Sequence, residues 1–141
     1  MSFVLDNSVA MCWLFADGKP AEVAYAEAAL GALVSTQALV PSLWALEVAN
    51  VLAKNEAKGL ITEARSQGFI ALLERLTIVA DHATHIHAMG ATLQLARRYK
   101  LSAYDAAYLE LALRTGSSLA TLDIDLKKAA KSAGVPMFSP K

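Results

Sequence analysis

The sequence holds a single cysteine, Cys12, in 141 residues. An intramolecular disulfide is impossible, and four thiolates for a structural zinc are lacking. An excess of either charge is also missing, since thirteen Lys and Arg balance thirteen Asp and Glu. A uniformly basic coat that binds nucleic acid through salt-dependent contacts is therefore excluded, and any polyanion must be met locally. No uninterrupted apolar run approaches the roughly 18 residues of a membrane span, and Met1-Ser2-Phe3 carries no basic residue ahead of its apolar run. The expectation is a cytoplasmic chain without a membrane anchor, tolerant of a reducing compartment. There is no glycine-rich phosphate loop and no nucleophile elbow, and Cys12 has no neighbouring base, so covalent catalysis is not indicated.

What the chain does have is apolar bulk. Hydrophobic residues make up 55% of it, and 28 Ala with 21 Leu supply about a third of all positions. That composition excludes disorder and low-complexity tails, and the length fits a single domain over 1–141. Phe3-Val4-Leu5, Ala38-Leu39-Val40, Thr77 to Ala80, Ser118 to Leu122 and Val135 to Phe138 predict short strands. Between them, helical patterns run from Ser8 to Leu14, Ala21 to Leu33, Leu43 to Lys58, Thr62 to Leu76, Thr84 to Tyr99, Ser102 to Arg114 and Asp123 to Ser132. Ser8, Ser42 and Ser102 are the expected N-caps, and Gly59, Gly116 and Gly134 the expected stops. Strands alternating with helices predict a three-layer α/β/α fold with a short, mainly parallel sheet. In such sheets ligands bind at the C-terminal strand ends, where Asp6 and Asp123 fall.

Two further acids stand where apolar residues belong. Glu47 has Leu43, Trp44 and Val51 as its helical neighbours, and Asp105 lies on the stripe Leu101, Tyr108, Leu109, Ala112. Burying a lone carboxylate costs several kcal/mol, and no Lys or Arg stands at i±3 or i±4 of either acid. Four such acids form a set of hard oxygen ligands without histidine or thiolate, which suits Mg²⁺ or Mn²⁺ and phosphodiester hydrolysis.

The segments Phe3-Val-Leu-Asp6-Asn-Ser8, Pro41-Ser-Leu-Trp-Ala-Leu-Glu47-Val-Ala-Asn50, Leu101-Ser-Ala-Tyr-Asp105-Ala-Ala-Tyr108 and Leu119-Ala-Thr121-Leu-Asp123 resemble the PIN domain family, in particular its VapC-type toxin ribonucleases. The resemblance spans the chain in order. It implies a Mg²⁺-dependent endoribonuclease of a toxin–antitoxin pair, with Asp6 and Asp105 as principal metal ligands and Glu47 and Asp123 as supporting acids. Ser8 and Thr121 are implied as supporting hydroxyls, and Asp125 is an alternative fourth acid. It also implies an RNA substrate, a VapB-type antitoxin packing over apolar surface near Trp13, Trp44 and the second helix, and a homodimer.

Other readings compete. A haloacid-dehalogenase-like phosphatase also opens with a strand ending in Asp, yet it places an acid where Ser8 stands and leaves Glu47 and Asp105 without a role. A catalytically silent PIN-like binding module is the non-enzymatic alternative. His82, His85 and His87 lack convincing zinc spacing and read as surface. Trp13 and Trp44 could stack a base, though core packing is their expected place. Arg97, Arg98, Lys100, Lys127, Lys128 and Lys131 are ordinary solvated cations, unless some flank the site and meet phosphates.

Overall fold

The structure, a computed structural model, describes residues 2–140. Its four strands are β1 (Ser2–Leu5), β2 (Gln37–Val40), β3 (Ile78–Ala80) and β4 (Ser118–Ala120). They pair in parallel in the order β3-β2-β1-β4. Phe3, Val4 and Leu5 are buried, as are Leu119 and Ala120, which is the unbroken apolar signature of strands covered on both faces. From β1 the chain moves outward through β2 to β3, then returns to place β4 on β1's other side. The strand order therefore reverses between β1 and β4, the point where a parallel sheet opens a crevice at its C-terminal edge.

Eight α-helices flank the sheet: α1 (Asn7–Phe15), α2 (Pro20–Ala32), α3 (Trp44–Ala57), α4 (Glu63–Arg75), α5 (Thr84–His87), α6 (Leu93–Tyr99), α7 (Ala103–Thr115) and α8 (Ile124–Ala133). The most deeply buried is α7, in which every residue from Ala106 to Ala112 is buried. Three of those seven are alanines, whose small side chains let the helix lie close against β1 and β4. It starts on Ser102, whose hydroxyl accepts from the Asp105 amide at 3.1 Å, and stops at Gly116 with φ +65°, a left-handed turn that glycine adopts without strain.

The chain departs from the sequence expectations at several ends. Ser8 does not cap α1, because its hydroxyl donates to the Asp6 carboxylate, leaving Asp6 at the N-cap position. Ser42 does not cap α3; its exposed amide donates to the Thr84 hydroxyl, and the helix starts from a tight turn in which the Trp44 amide donates to the Pro41 carbonyl. The helix expected from Thr84 to Tyr99 is interrupted by a π-helical turn, Ala88–Thr92, containing Gly90. Its outer residues Ile86 and Met89 are exposed. The last expected strand reduces to one parallel bridge, Leu119 to Met137, because Pro136 has no amide hydrogen to extend a ladder. Among the described residues, no helix is long and apolar enough to cross a membrane.

Candidate active site

Asp6 follows β1 and is 5% exposed. Its amide donates to the Ala120 carbonyl at 2.9 Å, which ties the end of β1 to the end of β4 at the point where the strand order reverses. Its Oδ2 accepts two hydroxyl hydrogen bonds, from Ser8 at 2.6 Å and from Thr121 at 2.7 Å. Each hydroxyl is held in turn by the β4–α8 turn: the Leu122 amide donates to Ser8 Oγ at 3.0 Å, and the Asp123 amide donates to Thr121 Oγ1 at 3.0 Å. Asp6 is thus fixed by a network in which both hydroxyls both donate and accept.

Glu47 lies in the first turn of α3, after the C-terminal end of β2, and Asp105 in the first turn of α7. Both are half-buried. Asp123 is the N-cap of α8, its Oδ2 accepting from the Leu126 amide at 2.8 Å. Asp125 lies in the first turn of α8 and is exposed. Four separate elements therefore bring acids to one edge of the sheet.

Their charges act on one another. Asp6 is held above the ordinary carboxylate value first by burial and further by Asp123, while the Ser8 and Thr121 hydroxyls pull the other way. Glu47 is raised first by burial, then by Asp6 and Asp105, against a lowering hydrogen bond from Tyr108. Asp105 is raised first by burial, then by Asp6 and Asp123, with Asp125 adding to the push and the Ser102 hydroxyl opposing it. Asp6, Glu47, Asp105 and Asp123 form one electrostatic cluster, with Asp125 at its margin. Oε2 of Glu47 and Oδ1 of Asp123 carry no hydrogen bond among the described residues, which leaves them available to a ligand.

Among the described residues, no three His, Cys, Asp or Glu side chains are drawn together tightly enough to cage an ion by themselves. The donor set still fits Mg²⁺ or Mn²⁺ in its chemistry. It is all carboxylate and hydroxyl oxygen, and Mg²⁺ keeps several of its waters while taking one or two carboxylates directly. Facing acids can therefore hold a largely hydrated ion.

A match to known families decides the lineage: residues 3–132 match the PIN domain. The chain belongs to the PIN domain family. It is 32% identical over 84 residues to "Ribonuclease VapC3" of Pyrobaculum aerophilum, an overlap covering 60% of this chain and 64% of that relative, so the chain spans less than two thirds of the relative's length. Two solved structures share the PIN fold. The crystal structure of PAE2754 from Pyrobaculum aerophilum superposes with a TM-score of 0.66 at 21% identity, covering 92% of this chain and 79% of that one. VapBC2 from Rickettsia felis, solved bound to a DNA fragment from the promoter, superposes with a TM-score of 0.70 at 14% identity, covering 98% of each chain.

Two features of this PIN domain, one in the site and one beyond it, escaped the sequence reading. Tyr108 is fully buried, and its hydroxyl donates to Oε1 of Glu47. A buried tyrosine one turn after Asp105 needs a polar partner, and that was its available signal. Arg114 is the second: it donates to Asp81 at 2.6 Å and to Glu110 at 2.7 Å, clamping α7 to the turn after β3. Only the Glu110–Arg114 half, an i,i+4 pair, is visible in sequence. His82 and His85 are exposed and join no cluster, Trp44 is buried, and Trp13 donates to the Ala26 carbonyl at 2.7 Å.

Proposed function

We propose that the chain is a VapC-type toxin, a Mg²⁺-dependent endoribonuclease that hydrolyses RNA phosphodiester bonds and is restrained by a VapB-type antitoxin. The observation that carries this reading is the convergence of Asp6, Glu47, Asp105 and Asp123, from four separate elements, on the sheet's reversal point in a PIN domain. A fold that holds four acids together against their own repulsion loses stability by it, and the cluster makes sense as a seat for a cation. The name of the Pyrobaculum relative, a ribonuclease, supports the same reading.

In this mechanism Asp6 and Asp105 would be the principal ligands of the ion, and Asp6 is held in one orientation by Ser8 and Thr121. A bound Mg²⁺ would supply charge that polarises the phosphoryl oxygens and makes water more acidic. Glu47, its orientation fixed by the Tyr108 hydroxyl, would accept a proton from the attacking water. Asp123 closes the acidic wall, and its second oxygen remains bound to the α8 amide. The haloacid-dehalogenase-like alternative finds no support here: Ser8 stands at the position of its second acid, and that hydroxyl is engaged by Asp6 and Leu122.

For the antitoxin, support comes from an apolar groove of about 430 Å³ between α3 and α4, walled by Val40, Trp44, Val48, Leu52, Ile70 and Leu73; of the surface expected to take the partner it includes Trp44 but neither Trp13 nor α2. Apolar grooves of this kind take the apolar face of a partner helix. Exposed Leu46, Ile86 and Met89 are apolar surface available to self-association in a homodimer.

Expression in a bacterial host tests the proposal. Wild type arrests growth, co-expression of a cognate antitoxin relieves the arrest, and sequencing of RNA 5′ ends reveals new, recurrent cut sites. Unimpaired growth with no new ends contradicts it.

A further inference from the structure

Beside the acidic cluster runs a cleft of about 280 Å³ between the end of α6 and α8, lined by Tyr99, Lys100, Asp125, Lys128, Ala129 and Ser132. Asp125 lines the cleft from the first turn of α8, just past the N-cap Asp123, and Lys100 stands just before Ser102, the N-cap of the helix that carries Asp105. The cleft therefore opens beside the acidic edge of the sheet. Its two lysines face it from different elements, and neither forms an ion pair among the described residues, although Asp125 shares the space.

Two further observations point to an anionic occupant. First, the segments Arg97 to Lys100 and Lys127 to Lys131, which flank the cleft, carry six of the chain's thirteen cations. In a chain with no net charge, that is a local field of one sign next to a cluster of the other. Second, the Arg98 guanidinium lies over the ring of Tyr99 at 5.7 Å, and Tyr99 lines the cleft beside Lys100, which keeps a further cation at its margin.

We propose that the Lys100–Lys128 cleft binds the phosphodiester backbone of single-stranded RNA next to the bond that is cut. The inference rests on the nuclease reading and adds to it the path of the substrate. Lysine ammonium groups act as point charges on phosphate oxygens, so this contact positions the strand without reading its sequence. Asp125, on the cleft's acidic side, sets the limit of the path where cation chemistry begins.

The test compares Lys100→Gln/Lys128→Gln with Lys54→Gln/Lys58→Gln, which removes the same charge from exposed positions at the end of α3, outside the cleft and its flanking segments. The substrate is a single-stranded RNA carrying a site that wild type cuts, assayed with Mg²⁺ over a range of KCl. The cleft pair is expected to raise KM about tenfold and to flatten the slope of log(kcat/KM) against log[KCl] by about 1.4, that is, about 0.7 per lost phosphate contact. The control pair shifts both by much less. A cleft pair with wild-type KM and slope, or a control pair that costs as much, overturns the proposal while leaving the nuclease reading intact. A wild type that cuts no RNA removes both. Matching thermal melts of the variants exclude misfolding as the cause.

Discussion

The Tyr108 hydroxyl donates a hydrogen bond to Glu47 across 61 residues of sequence, joining α7 to α3 beneath the acidic edge of the sheet. Tyr108 is fully buried and Glu47 half-buried, so the bond fixes one carboxylate oxygen and leaves the other toward the site. Tyr108→Phe removes the hydroxyl and keeps the ring. A urea melt of this variant should show a loss of about 1.5–3 kcal/mol, as expected for one hydrogen bond to a charged group. Cleavage should fall by roughly tenfold to a hundredfold through misplacement of Glu47.

Asp105 gives the pH dependence its sign. Its folded-state value lies above the ordinary 3.8, so the folded chain binds more protons than the unfolded chain as pH passes through the titration. The stability this group contributes is complete below 3.8 and is lost as pH rises through the raised folded-state value; Asp6 and Glu47 act in the same direction. Asp105→Asn, measured without divalent ions at neutral pH, should therefore melt higher than wild type. The same substitution should weaken the rise in Tm that Mg²⁺ gives wild type.

Asp81 behaves in the opposite sense. Hydrogen bonding to Arg114 holds its carboxyl below 3.8, so the stability it contributes is present above that value and lost as pH falls through the lowered one. Arg114→Ala leaves Glu110, 4% exposed, without its cation and frees the turn after β3. Because Arg114 itself is a quarter exposed, the expected loss is about 2 kcal/mol, below that of a fully buried pair. A urea titration checks the size of the loss, and repeating it toward pH 3 should show a smaller difference between the variant and wild type.

Much of this architecture was legible because it is written in local patterns. Phe3-Val4-Leu5 ending at Asp6 announces a buried parallel strand opening a site, and the Ser102 cap with Gly116 brackets α7 within a residue. Asp6, Glu47, Asp105 and Asp123 stood out because a carboxylate on an apolar stripe or at a strand end has no cheap structural reason. What the sequence hid depends on tertiary partners. Ser8 looks like a helix cap in one dimension, but its hydroxyl belongs to Asp6 once β1 and β4 lie side by side. The reversal between β1 and β4, the pairing of Asp81 with Arg114, and the cleft joining Lys100 to Lys128 all come from sheet order and helix packing, which no local spacing encodes.

Whether Asp6 anchors a cation-dependent phosphodiester hydrolysis is decided by single-turnover cleavage of RNA by wild type and Asp6→Asn, each with Mg²⁺ and with excess EDTA. Asp6→Asn keeps the shape and the hydroxyl partners while removing the ligand charge. Wild type is expected to cleave with Mg²⁺, to stop in EDTA and to recover on added Mg²⁺, with Asp6→Asn slower by about a thousandfold or more and its circular dichroism unchanged. Cleavage that persists in EDTA, or an Asp6→Asn variant as fast as wild type, would contradict it.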